Sequence, residues 1–104
     1  MKRIAFRMIL LKGFEKEYQA RHDAIWPELK QLLKETGIAD YSIFLDEETN
    51  HLIGILKIRD GSKMGELSQH PVMQKWWSSL KDIMETNEDN SPASIPLKEI
   101  FYME

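Results

Sequence analysis

Apolar residues recur at every second position from Ile4 through Phe6 and Met8 to Leu10, while Arg3, Ala5, Arg7 and Ile9 fall on the other side. A period of two is that of a half-buried strand. Gly13 breaks it, and the period then lengthens. Phe14, Tyr18, Ile25, Leu29, Leu32 and Leu33 follow the spacing of a helical stripe, with His22 in the same stripe. Pro27 interrupts the hydrogen-bond ladder of any continuous helix. The chain is therefore expected to kink near residues 24–26, or to start a second helix with Pro27 in its first turn. Gly37 is the expected stop.

Alternation returns over residues 40–45, with Tyr41, Ile43 and Leu45 on one side and Ser42 and Phe44 on the other. It continues over residues 51–58, where Leu52, Gly54, Leu56 and Ile58 align. The polar residues 46–50 between these runs predict a hairpin. Ser62 can cap a short helical piece over residues 63–69. Pro71 can start a longer helix to about Met84, with Val72, Trp76, Leu80, Ile83 and Met84 as its stripe. Residues 86–92 form a polar loop rich in turn formers. Residues 97–103 read as the last strand, with Leu97, Phe101 and Met103 on one side and Ile100 and Tyr102 on the other.

The resulting order, β-α-β-β-α-β, is the ferredoxin-like α+β arrangement: an antiparallel sheet with its helices on one face. At 104 residues the chain is expected to be one domain. Several strands are apolar on both sides: Phe44 opposes Tyr41 and Ile43, and Ile53 and Ile55 oppose Leu52 and Leu56. A sheet face that apolar needs a cover. The expectation is a homodimer with sheets packed face to face.

The net charge of -3 argues against a nucleic-acid partner. The absence of cysteine excludes disulfides, thiolate catalysis and cysteine-ligated metals. No apolar run reaches the roughly 18 residues that a membrane helix needs. Residues 1–4 carry basic groups without an apolar region or cleavage site behind them, so a signal peptide is not expected and a cytoplasmic location is.

Candidate chemistry centres on Tyr18, His22 and Trp26, spaced by four. On a helix they would put one titratable ring between two aromatic walls. An imidazole titrates near pH ~6.5 and can give or take a proton at neutral pH. A hydrogen-bonded core histidine is the competing reading. His51, at a strand start, and His70, before Pro71, read as surface or capping residues. Trp76 and Trp77 are adjacent and point about 100° apart on a helix. They suit either one core and one interface indole, or a stacking wall for the C–H faces of a sugar. Tyr41 packs in its strand or turns its hydroxyl into the same cavity as Tyr18. There is no HxH, HxxxH or HExxH metal pattern, no glycine-rich phosphate loop and no local Ser-His-Asp motif.

Arg21-His22, Ile25-Trp26-Pro27-Glu28-Leu29, residues 41–46 (YSIFLD) and residues 71–77 (PVMQKWW) together resemble the L-rhamnose mutarotase family. The similarity continues through Asp82-Ile83-Met84, Asn87, Asp89-Asn90-Ser91-Pro92 and Glu99-Ile100-Phe101-Tyr102, essentially end to end. One departure is Asp23-Ala24, where the family commonly has Asn-Pro. The resemblance implies a dimeric ferredoxin-like fold of the α/β-barrel type. It implies interconversion of the α and β anomers of L-rhamnose without a cofactor. It also implies His22 as proton donor, with Tyr18, Tyr41, Trp76 and Trp77 lining the sugar. Mutarotation fits those residues: one group protonates the ring oxygen, another takes the anomeric hydroxyl proton, and the aldehyde turns and recloses. His22 would be the acid, with Tyr18 or a bound water as the base.

Two rival readings share the fold, since fold does not fix function. One is a monooxygenase or haem-handling protein with His22 as axial ligand. The other is a non-enzymatic module that binds a small molecule.

Overall fold

The computed structural model describes residues 1–60 and 64–104. Strand β1 (Lys2–Ile9) leads to helices α1 (Glu15–Asp23) and α2 (Pro27–Thr36). The hairpin β2 (Ile38–Asp46) and β3 (His51–Ile58) follows, then a short 3-10 helix (Met64–Gln69), helix α3 (Pro71–Leu80) and strand β4 (Ser94–Leu97). The sheet order is β2-β3-β1-β4, antiparallel throughout, which is the ferredoxin-like arrangement. The expected cap at Ser62 lies outside the described residues.

Strand β3 shows the expected alternation without a fault. Leu52, Gly54, Leu56 and Ile58 are buried, and the residues between them are half-exposed. Met8 of β1 and Leu10 just after it join Leu52 under the helices, where Leu29, Met73, Trp76 and Leu80 close the core. A second small cluster of Ile38, Leu56 and Ile58 extends it. Gly54 is there because the Phe6 ring lies over it; an added Cβ would fall inside the ring's van der Waals surface. Phe6 also meets Tyr41 edge-on, with centroids 6.2 Å apart. Gly54→Ala must therefore push Phe6 off the strand. We expect a loss of about 1–3 kcal/mol in urea unfolding; an unchanged midpoint would contradict this packing.

Pro27 begins a second helix rather than kinking one. It occupies the first turn of α2, and Trp26 before it is extended at φ -62°, ψ 132°. A proline ring excludes the helical conformation from its predecessor, so α1 has to end first. Gly37 closes α2 in the left-handed conformation at φ 100°, its N–H returning to the Leu33 and Lys34 carbonyls. Helix α3 has Pro71 in its first turn and His70 as N-cap, with Nδ1 accepting from the Val72 N–H at 3.2 Å.

Helix α3 and the last strand depart from expectation. Helix α3 stops at Leu80, not near Met84. Ile83 and Met84 are core residues, but a bridge between Met84 and Leu10 pulls them out of the helix and alongside the end of β1. The last strand is Ser94–Leu97, not residues 97–103. Its register places Leu97 opposite Ala5 and Ser94 opposite Met8. Pro96 is tolerated because β4 is an edge strand. Beyond it, residues 98–104 are unpaired, and Ile100, Phe101, Tyr102 and Met103 are exposed. Arg3 holds this tail by an ion pair to Glu99 at 3.1 Å and by stacking on Tyr102 at 3.6 Å.

Candidate functional site

Between the helices and the exposed end of β2 lies a cleft of about 860 Å³. All five residues singled out in the sequence line it: Tyr18 and His22 from α1, Tyr41 from β2, and Trp76 and Trp77 from α3. The four-residue spacing brings Tyr18 and His22 into a stack, with centroids 4.1 Å apart and planes 28° apart. The edge of the His22 ring meets Trp76 at 5.2 Å. Trp26 does not continue the α1 face, because the helix has already broken. It instead packs edge-on against Trp76 at 5.2 Å. Trp76 is buried and Trp77 half-buried, so the pair supplies both a core anchor and a cleft wall.

The hydrogen bond of His22 fixes its chemistry. Nδ1 lies 2.9 Å from the Tyr18 backbone carbonyl. A carbonyl only accepts, so in the neutral ring Nδ1 carries the hydrogen and Nε2 is left with its lone pair. Nε2 has no protein partner among the described residues, and it is not among their buried unpartnered atoms, so solvent reaches it. Burial lowers the His22 pKa, opposed in part by the Tyr18 carbonyl and by Asp23. Above the ordinary value near ~6.5 the ring is neutral folded or unfolded. As pH falls below that value the unfolded chain takes up the proton first. Stability is then lost progressively until the lowered folded value is passed.

The two phenols behave differently from the imidazole. Burial pushes Tyr18 far above the ordinary phenol value, and Tyr41 adds to the shift. Burial pushes Tyr41 up to about 12, although 40% of its surface is exposed. Both are therefore neutral hydroxyls at physiological pH, able to donate and accept hydrogen bonds but not to serve as phenolate bases. The site thus offers one imidazole lone pair, two phenol hydroxyls and two indoles.

The cleft also has polar lining that the apolar periodicity did not indicate. Lys30 and Lys34 of α2, Asp40 in β2 and Glu47 just after it also line it. Asp40 sits where β2 slips register against β3, at a positive φ of 50°. An aspartate before an alternating run is the sequence signal for such a position, since Asp tolerates the left-handed region. His51 and His70 do not line the cleft. Among the described residues no cluster of His, Asp or Glu could hold a metal ion, and no helix is long and apolar enough to cross a membrane.

Fold and cleft together define a ferredoxin-like α+β protein with an aromatic pocket around one titratable ring, suited to a small neutral cyclic ligand. Residues 3–103 match the family model described as L-rhamnose mutarotase, and the chain belongs to that family. It is 57% identical over 103 residues to an L-rhamnose mutarotase of Sinorhizobium fredii, covering 99% of each chain. It is 57% identical over 102 residues to one of Flavobacterium johnsoniae, covering 98% of this chain and 95% of the other. The crystal structure of an L-rhamnose mutarotase from Formosa agariphila superposes with a TM-score of 0.93 at 51% identity, covering all of both chains. These relatives support the mutarotase reading over the haem-handling and binding-module readings.

Proposed function

We propose that the protein interconverts the α and β anomers of L-rhamnose by opening and reclosing the sugar ring. The observation that carries this reading is the His22 ring, stacked on Tyr18, edge-on to Trp76 and locked by its Nδ1 bond. In this mechanism Nε2 of His22 takes the proton of the anomeric hydroxyl as the C1–O5 bond breaks. The imidazolium so formed supplies a proton to the ring oxygen, which makes His22 the proton donor of the opening step. The free aldehyde rotates about the C1–C2 bond, and reclosure on its other face reverses the transfers. The same proton is given and regained, so the step balances without a co-reactant. Tyr18 and Tyr41 remain protonated and hydrogen-bond sugar oxygens. Trp76 and Trp77 present apolar faces to the C–H groups and the methyl group of the deoxy sugar.

The experiment is saturation-transfer NMR on a panel of aldoses at catalytic protein concentration. L-rhamnose anomer exchange should be accelerated well above the buffer rate, and more than that of pyranoses lacking the methyl group. Exchange at the buffer rate for every sugar would overturn the reading.

The protein is further proposed to act as a homodimer. The sheet face away from the helices carries Phe44, 61% exposed, and Ile95, 50% exposed. Arg7 alternates with buried Met8 and so points to that face, and its Nε is buried without a partner among the described residues. A buried donor calls for an acceptor, and a second copy packed on this face can supply one. Sedimentation should give twice the chain mass; a monomer at micromolar concentration would remove the dimer.

A further inference from the structure

The two aromatic walls of the cleft stand on different helices, and one side chain outside the cleft ties them together. Arg21 directly precedes His22 on α1 and does not line the cleft. Its Nη1 donates to the Ser79 backbone carbonyl at 2.6 Å and to Asp82 Oδ1 at 2.9 Å. Its Nη2 donates to Asp82 Oδ2 at 3.2 Å, and its Nε donates to Glu17 Oε1 at 2.8 Å.

Ser79 lies in the last turn of α3, where the final carbonyls have no partner within their own helix. A guanidinium from α1 therefore caps the C-terminus of α3. The hydroxyl of Ser79 in turn donates to the Trp76 carbonyl at 2.6 Å. A continuous path runs from the backbone of His22 through Arg21 and Ser79 to Trp76, whose ring His22 meets at 5.2 Å. A two-pronged arginine–carboxylate contact fixes an angle as well as a distance.

Stability alone is a weak reason for this arrangement. The Arg21 side chain is 27% exposed and that of Asp82 61%, and ion pairs so open to water add little to folding. Reaction rates are far more sensitive to position, since a misplacement of about 1 Å can cost on the order of 10²-fold. We propose that Arg21 is a positioning residue for anomer exchange: its fork onto Asp82 and the Ser79 carbonyl holds the His22 ring in register with Trp76. This rests on the mutarotase reading given above.

The test compares the full-length wild type with Arg21→Gln, Arg21→Lys and Asp82→Asn. Saturation-transfer NMR on L-rhamnose separates kcat from KM, thermal unfolding reports the fold, and the His22 Hε1 chemical shift reports the stack on Tyr18 and Trp76. Arg21→Gln should lower kcat about tenfold or more with little change in KM. The Hε1 signal should move toward its value in an unfolded chain, and the unfolding midpoint should fall only slightly. Arg21→Lys keeps the charge without the fork and should recover part of kcat. Should Arg21→Gln fail to fold, Asp82→Asn decides: it leaves the Ser79 and Glu17 contacts and should still lower kcat severalfold and move the His22 signal. Wild-type kcat and an unmoved signal in the folded variants overturn the proposal, even if their midpoints fall. A wild type that does not accelerate exchange overturns the mutarotase reading and this proposal with it; active variants beside an active wild type overturn this proposal alone.

Discussion

His22→Ala should abolish the acceleration of L-rhamnose anomer exchange while leaving the fold in place. The imidazole is the cleft ring whose ordinary titration lies near neutral pH, so it can both take and return a proton there. Tyr18 and Tyr41 are held as neutral phenols by burial. General acid–base help of this kind is worth about 10²–10⁴-fold, and that factor should disappear from the rate seen by saturation-transfer NMR. Folding should survive because the ring is half-buried and its one hydrogen bond among the described residues goes to a backbone carbonyl four residues earlier in the same helix. Wild-type exchange in this variant would remove His22 from the mechanism.

Trp76→Ala should destroy both activity and a large part of the stability. Trp76 is 6% exposed and belongs to the main core cluster with Leu29, Met73, Leu80 and Ile83. Truncating so large a buried ring costs about 3–5 kcal/mol, set against a total stability of roughly 5–15 kcal/mol for a domain of this kind. It also removes the ring that His22 and Trp26 both meet edge-on. Urea unfolding should show the loss directly. A midpoint close to wild type would mean that the cavity collapses, and that Trp76 is not the shared anchor of core and cleft. The contrast between the two variants separates the roles: one loses the reaction alone, the other loses the reaction with the support beneath it.

Much of this was legible before any coordinates. The faultless alternation of β3 reflects a strand with one face in the core and one outside, where pattern and burial coincide. The Tyr18–His22 stack follows from helical spacing alone. The break at Pro27 was legible as one of two outcomes, and the steric demand of proline on Trp26 selected the second helix.

The misses share a cause: periodicity records which residues are apolar, not what they pair with. Ile83 and Met84 continue the stripe of α3, yet Leu10 captures Met84 in a bridge across the sheet end. Residues 97–103 alternate well, but β1 pairs with β4 only from Ala5 to Met8, so the partner places the strand at Ser94–Leu97. The slip in β2 at Asp40 is set by register against β3. Trp26 keeps its four-residue spacing from His22 but sits beyond the end of α1, and reaches the cleft wall through Trp76 instead. The Arg21 fork spans residues far apart in the chain, and no local pattern marks it.

Anomer exchange by this cleft requires a His22 ring that stays uncharged while holding one lone pair toward the sugar. A nitrogen-15 NMR titration of the folded wild type, following both nitrogens of His22, examines this without recourse to rates. The expected result is a neutral ring at pH 7 with the hydrogen on Nδ1, half-protonation below pH ~6.5, and an Nε2 signal that moves when L-rhamnose is added. A hydrogen on Nε2, half-protonation above that pH, or an Nε2 signal indifferent to the sugar would contradict it.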